Sequence, residues 1–145
     1  MNLLLTKNGK LAIRVLDEGE KNVSIDSSVE VLGFASFTGC EALTNLFLGS
    51  NVKRIEACAF NDCKSLETIY LSQNVKSVEE SAFDGCSNLR YIYYEGSKDL
   101  EALRGHKMEE EIEKAVKHYV NATIDRCVVV YNVPQEWYKR CVLNF

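Results

Sequence analysis

The stretch ASFTGCEALTNLFLGSNVKRI at residues 35–55 is followed by two further copies of one pattern, ACAFNDCKSLETIYLSQNVKSV at 57–78 and SAFDGCSNLRYIYYEG at 81–96. Six apolar columns recur every 23 residues. They are Phe37, Phe60, Phe83; Cys40, Cys63, Cys86; Leu43, Leu66, Leu89; Leu46, Ile69, Ile92; Leu32, Ile55, Val78; and Val29, Val52, Val75. A period of this length predicts a solenoid, because each repeat must bury its apolar side against its neighbours.

The second half of each copy, L-x-x-[LI]-x-L, is a leucine-rich-repeat signature, a short strand whose alternate side chains enter the core. With phenylalanine and cysteine in register before it, the pattern resembles the repeats of the BspA-like leucine-rich repeat family over about residues 23–100. The resemblance implies an α/β repeat fold, a short leucine-rich-repeat solenoid. It also implies a surface or adhesin-like role, with carbohydrate as a possible ligand.

The residues before the first copy predict an N-terminal β-hairpin cap over residues 1–22. Two apolar stretches flank Asn8 and Gly9, and Asn-Gly is the favoured two-residue type I′ turn between paired strands. Residues 23–25 then occupy strand positions one period before residues 46–48, so they form a half-repeat. The leucine-rich repeats are therefore predicted over residues 23–96, as a half-repeat plus three copies.

The residues after the third copy, 97–145, predict a C-terminal helix-strand-helix cap. Apolar residues at helical spacing favour an amphipathic helix over residues 100–120, and a β-branched run favours a strand over 123–133. Pro134 is suited to open a short last helix that carries Trp137. The alternative is that this α/β segment is a separate partner-binding module.

The cysteine column raises the possibility of disulfides or metal. Cys40, Cys63 and Cys86 would lie on adjacent rungs ~4.8 Å apart, but their side chains run parallel, so small buried free thiols are the better interpretation. No C-x-x-C occurs, and His106 and His118 share no ligand spacing with a cysteine. We therefore expect neither a metal nor a cofactor.

Catalytic motifs are also missing from the sequence. No glycine-rich phosphate loop, G-x-S-x-G or H-E-x-x-H is present. His118 could approach Cys127 or Cys141 in the folded cap, but no local motif surrounds either cysteine. The sequence therefore predicts a protein that is not an enzyme.

Charge and hydropathy narrow the partners and the location. A net charge of −4 disfavours nucleic acid and anionic membranes as partners. No run of 18 apolar residues exists, and residues 1–5 are too short for the apolar region of a signal peptide, which predicts a cytoplasmic protein without membrane insertion. The family resemblance implies a cell-surface or secreted protein instead, if a leader has been removed.

Two columns between the core positions are the predicted partner-binding face. If residues 46 and 48 point inward, their neighbours point outward onto the sheet face that solenoids use for recognition. The columns are Phe47, Tyr70, Tyr93 and Asn45, Thr68, Tyr91. An exposed aromatic ladder favours binding, most simply of a protein. The alternatives are that the rings only pack across strands, or that the C-terminal segment folds over them.

Overall fold

The first two copies each contribute one strand to each of two sheets, the third copy contributes one strand to one of them, and the repeats stack as a mostly-strand solenoid of about four turns. The structure is a computed structural model that describes residues 3–16, 19–79, 81–96 and 128–144. Its strands are β1 (Leu3–Leu5), β2 (Leu11–Val15), β3 (Asn22–Ser24), β4 (Val31–Leu32), β5 (Asn45–Phe47), β6 (Arg54–Ile55), β7 (Thr68–Leu71), β8 (Ser77–Val78), β9 (Tyr91–Tyr94) and β10 (Val128–Val130), and its helix is α1 (Gln135–Cys141). The predicted leucine-rich-repeat solenoid is confirmed. Within the described repeats, tight turns rather than helices connect the strands.

Sheet B, with strand order β10-β9-β7-β5-β3, is parallel throughout and keeps the period of the sequence as its register. Leu46 lies opposite Ile69, and Ile69 lies opposite Ile92. Val23 lies opposite Leu46, the register expected if residues 23–25 occupy the strand position one period earlier. Burial of the inner face sets this register, because a slip by one residue would turn every core side chain outward.

Sheet A, with strand order β1-β2-β4-β6-β8, begins with the predicted hairpin. The predicted type I′ turn is wrong, because it needs positive φ at both central residues and, of the two, Gly9 alone has it, at 74°. The Gly9 N–H donates to the Thr6 carbonyl at 2.8 Å, so the turn starts earlier. Asn8 Oδ1 accepts from the Lys10 N–H at 3.0 Å, a local bond that holds Asn8 in this turn.

The predictions for the C-terminal segment can be checked only in part. The helix over residues 100–120 and the residues 123–127 of the predicted strand lie outside the described residues. The described part of that strand, β10, pairs with β9 in parallel and extends sheet B. Pro134 is the N-cap of α1, with φ −65° and ψ 142°, so the predicted last helix is confirmed.

The Phe-x-x-Cys turns form a third stacked layer beside the two sheets. Phe60 lies between Phe37 and Phe83, with ring centroids 5.3 and 5.6 Å away, and all three rings are buried. The backbone continues the stack, since the Phe37 N–H donates to Ala59 O at 2.7 Å and the Phe60 N–H to Ala82 O at 2.8 Å. The phenylalanine column therefore belongs to the scaffold.

The cysteine column is also structural. The Cys63 thiol donates to Phe37 O and the Cys86 thiol to Phe60 O, each at 3.0 Å, so each thiol contacts the preceding repeat. A side-chain hydrogen bond with Cys40 lowers the pKa of the Cys63 thiol, but the hydrogen bond with Cys86 and burial raise it more, to about 12. These cysteines are free and buried, as predicted, and a protonated thiol is a poor nucleophile.

The residue before each cysteine has a left-handed backbone. Gly39, Asp62 and Gly85 occupy this column, with φ of 74°, 58° and 79°. A side chain is disfavoured in this conformation by roughly 1–2 kcal/mol, which explains glycine in two of the three copies. Asp62 therefore carries a backbone cost that its two equivalents avoid.

The two glycines of this column should respond differently to alanine. Gly39→Ala is expected to lower the free energy of unfolding by about 1–2 kcal/mol, because nothing lies within 4 Å of the added Cβ and the cost is that of the backbone alone. In Gly85→Ala the Cβ would overlap Asp62 Oδ1 and lie 3.0 Å from Asp62 Cα, which adds roughly 1–3 kcal/mol. Urea denaturation of both variants measures the difference, and equal losses would contradict the steric explanation.

Candidate functional site

The predicted aromatic column lies on the outer face of sheet B, but a helix covers most of it. Phe47 and Tyr70 stack with their ring centroids 5.1 Å apart, as adjacent rungs should. However, Phe47 is only 4% exposed and Tyr70 is fully buried. The predicted exposure is therefore wrong for these two residues. The physical reason is that α1 packs on them, which is the covering arrangement considered as an alternative above.

Tyr138 is the residue of α1 that closes this contact. Its ring centroid lies 5.2 Å from that of Tyr70 and 6.2 Å from that of Phe47, and it is fully buried. Val133 and Leu143 complete this second apolar cluster, which is separate from the core between the sheets. A binding role for Phe47 and Tyr70 stays a prediction that requires α1 to move.

Two further contacts, a hydrogen bond and a cation–π interaction, hold α1 against sheet B. The Tyr70 hydroxyl donates to Val133 O, just before α1. Lys139 Nζ lies 4.9 Å from the centroid of the Phe47 ring, within the range of a cation–π interaction. Burial raises the pKa of Tyr70, and the negative charge of Glu95 adds to the shift, so the Tyr70 hydroxyl remains a donor at neutral pH.

The first turn of α1 is fixed by a side-chain amide. Gln135 Nε2 donates to Ser50 Oγ and to Glu95 Oε2, each at 2.8 Å. Ser50 follows β5 and Glu95 follows β9, so this one amide joins two repeats to the helix. The docking of α1 is therefore supported by hydrogen bonds at its start as well as by its buried tyrosine.

The predicted polar column forms a hydrogen-bonded chain across the strands. Asn45 Nδ2 donates to Asn22 Oδ1 at 2.9 Å, and the Thr68 hydroxyl donates to Asn45 Oδ1 at 2.6 Å. Thr68 Oγ1 lies 2.7 Å from the Tyr138 hydroxyl. Because the Thr68 proton is used toward Asn45, Tyr138 donates to Thr68. Thr68 is buried and Asn45 is half-buried, so these two residues link the strands to one another and to α1, whereas Tyr91, the third residue of the column, is exposed.

The exposed part of the face is an aromatic cluster formed by Tyr91, Tyr93 and Trp137. Tyr91 is 41% exposed and Trp137 is 44% exposed, with the half-buried Tyr93 between them. The Tyr93 ring lies 5.6 Å from that of Tyr91 and 5.3 Å from that of Trp137. Burial raises the pKa of Tyr93, and the electrostatic contribution of the neighbouring Tyr91 adds to this shift. The cluster thus presents apolar ring surface that also carries two phenolic hydroxyls and an indole N–H.

The sequence identified two members of this aromatic cluster and missed the third. Tyr91 and Tyr93 follow from the repeat columns, whereas Trp137 lies on a helix outside the repeats. Pro134 and the apolar residues after it predicted that helix but did not indicate where it would pack. Its neighbour Tyr138 was missed for the same reason.

Two other features, a metal site and a membrane-spanning helix, are not seen in the part of the chain that the structure describes. There, no group of three or more histidine, cysteine or acidic residues is arranged to hold a metal ion. Among the same residues, no helix is both long and apolar enough to cross a membrane.

Comparisons with known proteins agree with the solenoid. A family model described as a BspA type leucine rich repeat region (6 copies) matches residues 19–106. A solved leucine rich cell surface protein from Faecalibacterium prausnitzii A2-165 is 30% identical, with a TM-score of 0.52, over 55% of this chain and 21% of that protein. A solved leucine rich repeat protein of T. pallidum is 25% identical, with a TM-score of 0.56, over 64% of this chain and 50% of that protein. The matches thus span half or less of these proteins. No curated protein matches the sequence.

Proposed function

Since the chain belongs to the BspA-type leucine-rich repeat family, we propose that it is a non-catalytic binding module that contacts a protein partner through the Tyr91–Tyr93–Trp137 aromatic cluster. The observation that carries the proposal is the exposure of Tyr91 and Trp137 on the sheet face, in contact with a common neighbour. Tyrosine and tryptophan are the side chains that most often anchor protein interfaces.

The buried aromatic residues of this sheet face favour the proposal because they restrict the positions of the exposed ones. Tyr93 also contacts Tyr138, with ring centroids 5.6 Å apart, so the aromatic cluster rests on a residue that is fully buried. Side chains that are already ordered lose less conformational entropy on binding. The helix therefore serves as part of the binding surface as well as a cover for Phe47 and Tyr70.

Carbohydrate is the second candidate ligand, favoured by the same exposed rings. The faces of Tyr91 and Trp137 offer apolar surface against which a sugar ring can pack, with hydroxyl groups nearby. One solved relative is described as a cell surface protein, a location where both proteins and glycans are encountered. Trp137 is the sole tryptophan of the chain, so its emission reports directly on a ligand at the aromatic cluster.

Photo-cross-linking separates the two candidates. The variant Tyr91→p-benzoylphenylalanine is expected to form a specific cross-linked adduct with a protein. The same photoreactive residue placed at Phe34, outside the aromatic cluster, should not form this adduct. The purified partner should then bind Tyr91→Ser and Trp137→Ser about tenfold or more weakly than the unsubstituted chain, as for truncated interface anchors. Phe34→Ser should leave its affinity unchanged.

Two outcomes would contradict the proposal that the aromatic cluster binds a protein. The first is an identified partner whose affinity does not change in folded Tyr91→Ser and Trp137→Ser variants. The second is the lack of any position-specific adduct together with a saturable shift of Trp137 emission on titration with soluble oligosaccharides. That second result would favour the carbohydrate candidate.

A further inference from the structure

A second exposed apolar surface lies where the hairpin of sheet A meets the first turn of the repeats. It is a groove with a volume of about 410 Å³. The groove is lined mainly by apolar side chains together with an arginine and two hydroxyl residues; its principal lining residues are Leu4, Ile13, Arg14, Phe34, Ser36 and Thr38. Phe34 is 68% exposed, and Leu4 and Ile13 in the same groove are 46% and 43% exposed, so the exposed apolar side chains form one patch.

The first repeat departs from its own copies at this groove. Ser36 occupies the column in which the later copies have Ala59 and Ala82, and all three residues are buried. Phe34 occupies the column in which the second copy has Ala57. The scaffold is thus satisfied by alanine at both positions, and the larger or polar side chain of the first repeat needs another explanation.

Ser36 has an unmet hydrogen-bonding capacity. Its hydroxyl oxygen is buried and has no hydrogen-bond partner. The Thr38 hydroxyl in the same groove donates to Cys58 O at 3.1 Å, so it is satisfied within the protein. A buried hydroxyl without a partner is destabilising, which suggests that a ligand supplies the missing bond at Ser36.

The charge of the groove comes from Arg14. Two other cations, in β6 or next to it, have acidic neighbours: Lys53 lies 3.7 Å from Glu30, and Arg54 lies 3.8 Å from Glu56. Among the described residues Arg14 has no such ion pair. A guanidinium beside an apolar wall is complementary to a carboxylate that is attached to an apolar group.

We propose that this groove binds a small carboxylic acid with an apolar body. The carboxylate pairs with Arg14 and accepts a hydrogen bond from Ser36, while the apolar body packs on Leu4, Ile13 and Phe34. The groove volume falls within the range of roughly 300–1,000 Å³ that small-ligand sites occupy, which favours a free acid over a folded protein partner.

Titration of the full chain with octanoate, followed by ¹H–¹⁵N NMR, tests this site. Saturable shifts are expected at the amides of Ile13, Arg14 and residues 34–36. Octan-1-ol, which lacks the charge, should bind about tenfold or more weakly, since a charged hydrogen bond is lost. Arg14→Gln should weaken the binding of octanoate by a similar factor. The control Arg54→Gln removes an equal charge from the same sheet, but outside the groove, so it should not change the affinity for octanoate.

A double variant that restores the pattern of the second repeat gives an independent check. Phe34→Ala with Ser36→Ala is expected to fold, because alanine already occupies these columns in another repeat. Its melting temperature should not fall, while octanoate affinity should drop about tenfold or more through the loss of the ring and the hydroxyl. Tyr91→Ser should leave octanoate binding intact, which keeps this test separate from that of the aromatic cluster.

Four results would overturn the proposal. The first three are no saturable octanoate binding, equal binding of octanoate and octan-1-ol, and unchanged octanoate binding in the double variant. An N-acetylated peptide with a C-terminal leucine carries the same chemistry in a polypeptide. If this peptide binds tenfold more tightly than octanoate, the assignment to a free acid is wrong, and the groove instead recognises the C terminus of a polypeptide.

Discussion

Phe60→Ala is expected to lower the free energy of unfolding by about 3–5 kcal/mol, as for large core aromatic residues elsewhere. Phe60 is fully buried and stacks on both Phe37 and Phe83, so its removal opens a cavity between two rungs rather than at one end of the column. Its neighbours cannot close this space easily, because the backbone of the turn layer is hydrogen-bonded from rung to rung. Urea denaturation followed by far-UV circular dichroism measures the loss.

Phe34→Ala is the matched control for this prediction. It removes the same ring from the surface of the same turn layer, where the ring is mostly exposed, and should change stability by less than about 0.5 kcal/mol. A loss below about 1 kcal/mol in Phe60→Ala would show that the phenylalanine column does not hold the stack together, contrary to its interpretation as scaffold.

The repeat columns predicted the parts of the structure that depend on local pattern. The register that pairs Leu46 with Ile69 follows from the 23-residue period, because burying equivalent residues together leaves no other parallel alignment. The phenylalanine and cysteine columns were recognised as scaffold for the same reason. Even the half-repeat at Val23 could be placed, since the period extends backward from the complete copies.

The sequence was less informative where contacts join distant segments. Phe47 does point outward, as its position in the strand predicts, but Tyr138 covers it from 91 residues further along the chain. No periodic pattern encodes that contact, so burial could not be inferred from the column. Ser36 shows the opposite case: its difference from Ala59 is visible in the sequence, but its missing hydrogen bond is visible only in the structure.

Tyr138→Ala is expected to release α1 from the face of sheet B and to cost about 3–5 kcal/mol of unfolding free energy, the amount typical of a buried aromatic residue. The ring packs on Phe47 and Tyr70, and its hydroxyl donates to Thr68, so the substitution removes both the apolar contact and the polar one. Trp137, the next residue toward the N terminus, should then become more exposed, and its emission should shift to longer wavelength.

The variant Tyr138→Phe separates the contribution of the ring to the free energy of unfolding from that of the hydroxyl. The phenylalanine keeps the packing, and Thr68 keeps its bond to Asn45, so only about 0.5–1.5 kcal/mol should be lost and the emission of Trp137 should stay unchanged. Because burial raises the pKa of Tyr138, its hydroxyl is protonated at neutral pH, and the comparison measures a neutral hydrogen bond. If the two variants lose equal stability, the hydrogen bond rather than the ring fastens α1. If neither variant shifts the emission of Trp137, Tyr138 does not hold the helix on the aromatic face.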